Sequence, residues 1–387
     1  MALLLLGLVP IRVLGSPLPY PSRHRPPSHE LRVDERFFPM PDRVRLAATV
    51  FCPLPRVAGE RFPVLLELLP YRKDDSFARR DFRHHAYFAR RGYVCVRVDV
   101  RGTGTSEASG GAVPDREYSN VELDDAVSLI QTLSREPGTN GRVGMWGISW
   151  GGFNAIQTAM RQPPALGAIL AVDATDDLYH DDVHYLDGIF HVDAYQLEID
   201  HENGLPVPPD YRVDAPFLAD RFLRRPWILR YLEEQRDGAF WATGSLRGQY
   251  HRLRTPAFLI GGLQDLYRDS VPRMLEHVRA PVVAWIGPWN HDFPDSGTPG
   301  PDHDWREAAL AWWDHWLRGI DRGVDRWSRL AVYVRHGHPP GGAVTTAPGH
   351  WRTLDWPDRR IQDRAWHTAA TGRLVDSGAP GSDVALV

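Results

Sequence analysis

Val143-Gly144-Met145-Trp146-Gly147-Ile148-Ser149-Trp150-Gly151-Gly152 is an apolar run that ends in Gly-x-Ser-x-Gly and opens onto the helix-compatible Phe153-Asn154-Ala155-Ile156-Gln157-Thr158-Ala159-Met160. Strand, sharp turn and helix in that order read as a nucleophile elbow. A serine hydroxyl is a weak nucleophile, so it must be lifted clear of the backbone, with a base aimed at it and oxyanion donors close by. Small residues on both sides of Ser149 let a strand and a helix approach at the angle such a turn needs. The helix start adds the Trp150 backbone N–H and a dipole that favours negative charge. Alone, Gly-x-Ser-x-Gly is equally the mark of a glycine-rich turn, so the reading rests on what flanks it.

Upstream, Arg43 to Phe51 alternates like a half-buried strand after the turn at Pro41-Asp42, and Pro63 to Leu69 is a second strand that stops at Pro70-Tyr71. A helix over about Arg79 to Arg91 leads to the strand Val94 to Val100 and the loop Arg101-Gly102-Thr103-Gly104-Thr105-Ser106. Asn120 to Ser134 has helical periodicity with Asn120 as its N-cap. Downstream lie strands at Gly167 to Ala171, Pro256 to Ile260 and Pro281 to Ile286, and a helix from Trp305 to Leu317. Alternating strands and helices predict an α/β fold with a doubly wound sheet. The interruption from about Asp176 to Tyr250, with helices expected at Tyr185 to Asp200 and Phe217 to Glu234, reads as a cap over the sheet's carboxyl ends, where ligands bind in such folds.

The chain has 387 residues and is 43% hydrophobic, enough for one large domain and something smaller. A formal charge of −4, with no basic tract, gives no case for nucleic acid. Cys52 and Cys95 lie in β-like runs and suggest buried thiols, neither a disulfide framework nor a metal site. Ala2 to Val9 is apolar but short and broken by Pro10, so no membrane span is expected. Residues 1–30 read as a disordered leader and the protein as cytoplasmic, with a cleaved secretory signal over residues 1–16 as the alternative.

An elbow serine needs a base, and the base an orienting carboxylate; in α/β-hydrolases the chain order is Ser, Asp or Glu, His. Asp265 follows the strand ending Ile260-Gly261-Gly262, and His291 follows the next strand in Gly287-Pro288-Trp289-Asn290-His291. All three therefore fall on loops at one sheet edge. Tyr71, in the loop after the second of the upstream strands, could place its phenol at the oxyanion beside the Trp150 N–H; packing on Pro70 is the alternative reading.

Pro70-Tyr71-Arg72-Lys73, Asp99 to Ser106, Gly147 to Gly152, Gly261-Gly262-Leu263-Gln264-Asp265, and Gly287 to His291 followed by Trp312-Trp313-Asp314-His315-Trp316-Leu317-Arg318-Gly319 resemble the CocE/NonD hydrolases, a group that includes cocaine esterase, α-amino acid ester hydrolases, glutaryl acylases and X-Pro dipeptidyl-peptidases. The resemblance runs from about Leu31 to Pro357. It implies an α/β-hydrolase core over 31–175 and 251–326, a helical cap at 176–250, and the start of a C-terminal β-sandwich, or jelly roll, over 327–387. It implies a triad of Ser149, Asp265 and His291, an oxyanion hole of Tyr71 and Trp150, and a small-molecule ester or amide as substrate, with no cofactor and no metal. Family members continue with a complete sandwich, so either the partial domain here packs poorly or a partner or homodimer contact covers what it exposes. The α-amino acid ester hydrolases also place acidic residues just after the triad aspartate to hold a substrate ammonium. Here Leu266-Tyr267-Arg268 stand there, although Asp181 and Asp182 at the cap entrance could supply negative charge.

The chemistry expected is ester or amide cleavage through an acyl-enzyme. The alternatives are an exopeptidase of the X-Pro dipeptidyl-peptidase type and a weakly active homologue serving as a binding module. Other candidates read as structural. His180 and His184 are four apart beside Asp181, Asp182 and Asp187, a spacing that can hold a metal on a helix, but nothing completes the shell. Asp99 and Arg101 read as an ion pair shaping the loop, and Trp312, Trp313 and Trp316 as core packing. Tyr179, Tyr185, Phe190, Tyr195, Trp227 and Trp241 are candidates for an acyl pocket.

Overall fold

Apolar runs too continuous for a half-exposed strand become strands covered on both faces. In the computed structural model, which describes residues 18, 20, 24–108, 111–191, 194–339, 344–358, 360, 365–368 and 372–375, all eight residues of the strand Phe62–Leu69 are buried. The first half of the chain gives β1 (Leu31–Pro39), β2 (Arg45–Pro53), β3 (Phe62–Leu69), α1 (Ala78–Ala89), β4 (Val94–Asp99), α2 (Asn120–Arg135), β5 (Thr139–Ile148), α3 (Trp150–Met160) and β6 (Leu166–Val172). The interruption holds the short strands β7 (Tyr185–Leu186) and β8 (Ile189–Phe190), then α4 (Ala194–Asn203), α5 (Ala215–Phe217), a π-turn at Leu218–Phe222, α6 (Ile228–Glu233) and α7 (Ala239–Ala242). The chain returns through β9 (Ala257–Gly262), α8 (Ser270–His277), β10 (Val282–Gly287), α9 (Arg306–Arg318), β11 (Leu330–Arg335) and β12 (Gly349–Leu354).

Ten of these strands form one sheet in the order β1-β2-β4-β3-β5-β6-β9-β10-β11-β12. Neighbours from β4 to β11 run parallel, while β1, β2 and β12 are antiparallel at the edges. Alternation along the strands feeds two cores. Val64, Leu66 and Leu68 pack under α2, α3 and α8 with Ile130, Phe153 and Met274. Leu65, Trp146 and Leu170 pack on the other face with Phe88 of α1 and Trp312 and Trp313 of α9. This is the doubly wound architecture expected, and the tryptophans at 312 and 313 are core, as read.

Four expectations change. The stretch expected as one helix from Tyr185 opens instead as the β7–β8 hairpin, because Asp187 (φ 51°) and Gly188 (φ 75°) turn the chain in the left-handed region. The second cap helix breaks into α5, the π-turn and α6, with Pro226 between the last two. The N-cap of α2 is Ser119, one residue earlier than expected, since its side chain accepts the Glu122 N–H. The sheet also runs past residue 326: β11 pairs with β10 and β12 with β11, so this stretch extends the hydrolase core where a separate sandwich was expected to open. Beyond it the strands among the described residues are β13 (His367–Thr368) and β14 (Leu374–Val375), which pair antiparallel.

Part of the expected leader is also ordered. Leu18 and Tyr20 are buried, Tyr20 against Trp285 and Trp327. The Arg25 guanidinium meets Glu307 (3.1 Å) and Asp314 (2.5 Å) of α9. The reason is charge: α9 carries two buried carboxylates on the face this segment crosses, and buried carboxylates need cations. Residues 1–17, including the alternative signal segment, lie outside the described residues. Among the described residues no helix is long and apolar enough to cross a membrane.

Candidate active site

Ser149 stands between the end of β5 and the first residue of α3, with φ 55° and ψ −127°. A non-glycine residue pays for that conformation, and such strain persists only where the surroundings impose it. The surroundings here are glycines: a Cβ on Gly147 would lie 2.7 Å from the Gly151 Cα, and one on Gly152 2.9 Å from the Val172 carbonyl oxygen. The Ser149 N–H donates to the Val172 carbonyl (2.9 Å), which ties the elbow to the end of β6. At the first position of α3 the Trp150 N–H has no intrahelical acceptor and is free to serve a ligand. Its indole is anchored below, donating to Glu122 Oε1 at 2.6 Å.

Asp265 and His291 come from the loops after β9 and β10. His291 Nδ1 donates to Asp265 Oδ1 at 2.7 Å, which leaves Nε2 as the nitrogen able to accept a proton. Asp265 is fixed, its side chain fully buried and its other oxygen accepting the Tyr267 N–H at 3.2 Å. The His291 side chain keeps 41% of its surface open. Ser149 and His291 line one cavity of about 480 Å³, together with Tyr71, Tyr195, Phe77 and Phe293. Tyr71 stacks on Phe77 at 5.1 Å, so its ring is packed while its hydroxyl faces the Tyr195 hydroxyl (2.9 Å) and Ser149. Burial pushes the Tyr71 phenol up to about 12, only partly offset by those two hydroxyls, so the group keeps its proton near neutrality and can donate it in a hydrogen bond.

The model for the X-Pro dipeptidyl-peptidase (S15) family matches residues 42–292, which span every residue just described except Phe293. The chain belongs to that family. A relative in Mycobacterium bovis named as a serine esterase is 28% identical over a 411-residue alignment covering 84% of this chain and 61% of its own length. Cocaine esterase of Rhodococcus sp. is 28% identical over 285 residues, covering 65% of this chain and 48% of the esterase. The S15 chain thus spans about half to three-fifths of the length of these relatives. A CocE/NonD family hydrolase from Staphylococcus aureus superposes with a TM-score of 0.64 at 14% identity, over 87% of this chain and 57% of its own, and shares the fold.

One further group stands beside the candidate triad that the sequence pattern does not single out. Asp173, at the end of β6 with φ 45°, brings a carboxylate oxygen within 4.8 Å of those of Asp265 and the ring nitrogen of His291. Burial first, then the adjoining Asp265, push the Asp173 carboxyl well above the usual carboxylate range. Two buried carboxylates in contact cannot both ionise. With Asp265 paired to His291, the shared proton belongs on Asp173, which then donates to Asp265. An aspartate directly after a buried strand was the only signal in the sequence.

The other S15 candidates disperse. His180 Nδ1 meets Asp177 at 3.1 Å and His184 Nε2 meets Glu117 at 2.6 Å, so the two histidines serve different carboxylates. Asp99 does not pair with Arg101: it takes Arg97 (3.2 Å), while Arg101 binds Asp125 and Asp42. Asp181 and Asp182 are buried, not at an entrance; Asp181 pairs with Arg273 and Asp182 accepts from the Tyr267 hydroxyl (3.3 Å). The carboxylates that do face the cavity are Glu198 and Glu202 of α4 and Asp292. Of the cap aromatics named, Tyr195 alone lines it, whereas Tyr179, Tyr185 and Trp241 pack on one another. Glu67, Asp81 and His85 have metal-like spacing, but Arg80 and Arg97 already bind these carboxylates.

Proposed function

We propose that this chain is a serine hydrolase that cleaves a small-molecule ester or amide through an acyl-enzyme. The observation that carries the reading is the 2.7 Å bond from His291 Nδ1 to Asp265 at the wall of a cavity that also holds the strained Ser149. Asp265 holds the imidazole in the tautomer whose Nε2 accepts the Ser149 proton, and it stabilises the imidazolium that forms. Ser149 Oγ attacks the carbonyl carbon, the C–O or C–N bond to the leaving group breaks, and the proton on His291 passes to that group. Water then attacks the ester on Ser149, losing its proton to His291; the acyl–Oγ bond breaks, His291 returns that proton to Ser149 Oγ, and the acid leaves. The Trp150 N–H and the Tyr71 hydroxyl are the donors to the oxyanion of both tetrahedral intermediates.

Glu198 and Glu202 support a second reading. Two carboxylates on the cap wall suit a substrate with a free amine, as an exopeptidase requires. Turnover of p-nitrophenyl butyrate beside alanyl-prolyl-p-nitroanilide, for wild type and Ser149→Ala, separates the readings. Hydrolysis of the simple ester alone supports the esterase. Preference for the anilide, lost in Glu202→Gln with the ester rate kept, supports the exopeptidase. Neither substrate turned over by the folded wild type would contradict both.

A further inference from the structure

A second cavity, of about 210 Å³, lies behind α4. Asp200, His201 and Asn203 face it, whereas Glu198, Ile199 and Glu202 of the same helix face the cavity of Ser149, so α4 is the partition between the two. Arg221, in the π-turn, and Arg224, just after it, line this second space. Arg221 Nη2 donates to the carbonyls of Gly104 (3.0 Å) and Ser106, and Arg224 Nη1 reaches the Gly102 carbonyl at 3.5 Å. The Arg224 guanidinium lies against Gly102 where any Cβ would overlap it, so the loop of β4 is shaped to admit it.

Neither arginine forms an ion pair with a carboxylate among the described residues. Asp99 and Asp220 act on them only from a distance, and Asp99 is occupied by Arg97 and by the N–H groups of Lys73 and Thr105. Asp200, on the rim, accepts the N–H groups of Trp227 and Ile228 at the start of α6. Arg224 Nη2 is buried with no hydrogen-bond partner. Burial first, then the charge of Arg224, pull Arg221 down to about 10, the response of a cation held without a counter-ion. Arg221 and Arg224 are both half-buried, and a guanidinium drawn out of water without a counter-ion is costly, so native proteins pair such charges. Two of them side by side, with N–H groups unused, match the bidentate recognition of a carboxylate or phosphoryl group. The rest of the wall includes Leu205, Phe222 and Trp227, which suit an apolar body attached to that group.

We propose that Arg221 and Arg224, with the Asn203 amide as a neutral donor, form a binding site for a small organic oxyanion behind α4, separate from the Ser149 cavity. The proposal does not depend on the hydrolase reading, because its test measures binding. Benzoate and phenyl phosphate are titrated calorimetrically into the whole 387-residue protein, with ionic strength held constant by sodium chloride, and into Arg224→Gln, Arg221→Gln and Arg224→Lys. The expected result is saturable binding of at least one probe to wild type, at least tenfold weaker in both glutamine variants. Tighter binding of benzoate identifies a carboxylate site, and tighter binding of phenyl phosphate a phosphoryl site. If a glutamine variant does not fold, as judged by its thermal transition, Arg224→Lys carries the test: it keeps the charge, loses the fork and should bind several-fold more weakly. No binding of either probe to folded wild type, or equal binding in folded wild type and every folded variant, overturns the proposal.

Discussion

Among single residues, the chemistry turns on where two protons sit. Tyr71 keeps its own, because burial holds its phenol up at about 12, and it is assigned the oxyanion. Tyr71→Phe keeps the ring packed on Phe77 but removes the donor, so kcat should fall by roughly 10²–10³ with KM little changed. Steady-state kinetics on one ester decides it; an unchanged kcat would leave Tyr71 as packing alone, the alternative its place after Pro70 allowed. Asp173 holds the second proton. Asp173→Asn presents a neutral donor to Asp265 and should preserve turnover at neutral pH, while Asp173→Leu, which cannot donate, should lower kcat and alter the pH–rate profile. If the asparagine and leucine variants share one pH–rate profile, Asp173 does not act through Asp265. Ser149, Asp265 and His291 were legible as candidates because each follows a strand in a fixed order. Asp173 was not, because its role depends on which carboxylate the fold sets beside it.

At the scale of elements, the floor beside the cavity is a buried charge network. Glu67 of β3 accepts from Arg80 Nη2 (2.9 Å) and pairs with His85 Nε2 (2.9 Å) of α1, and Arg97 of β4 joins through Asp81 (2.8 Å). Burial pushes the Glu67 carboxyl up, but Arg80, His85 and Arg97 outweigh it and hold the group down at about 2. A depressed carboxylate contributes stability that is fully present above its unfolded value near 4.5 and is lost as pH falls from there towards 2. Glu67→Gln should therefore cost about 3–5 kcal/mol at pH 7, since it leaves buried cations short of a partner, and the deficit should shrink between pH 4.5 and 2. Urea denaturation across that range checks it; a deficit independent of pH would mean that Glu67 is not ionised in the fold. This network escaped the sequence reading, since a glutamate in a strand and an arginine in a helix reveal their pairing only when packed. The strands themselves were legible from apolar runs, and the cap's broken helices were not, because periodicity does not register a left-handed turn at Asp187-Gly188 or the break at Pro226.

At the scale of the molecule, the segment before β1 behaves as part of the core. Arg25→Ala should lower stability by about 1–3 kcal/mol, the worth of charge-assisted hydrogen bonds to buried groups, read as a shift in the urea midpoint. No shift would return residues 24–30 to the leader the composition suggested. A proline-rich, polar stretch reads as unstructured unless the carboxylates it will meet, Glu307 and Asp314, are known to be buried. Likewise the extension of the sheet by β11 and β12 follows from the open edge of β10, which the sequence of the C-terminal stretch does not show. The proposed chemistry rests on one atom, Ser149 Oγ. Its most direct test is a fluorophosphonate probe on the intact protein, read by mass spectrometry with peptide mapping, beside Ser149→Ala and His291→Ala. One adduct is expected, on Ser149, absent in Ser149→Ala and formed far more slowly in His291→Ala. A folded wild type left unlabelled, or an adduct on another residue, would contradict it.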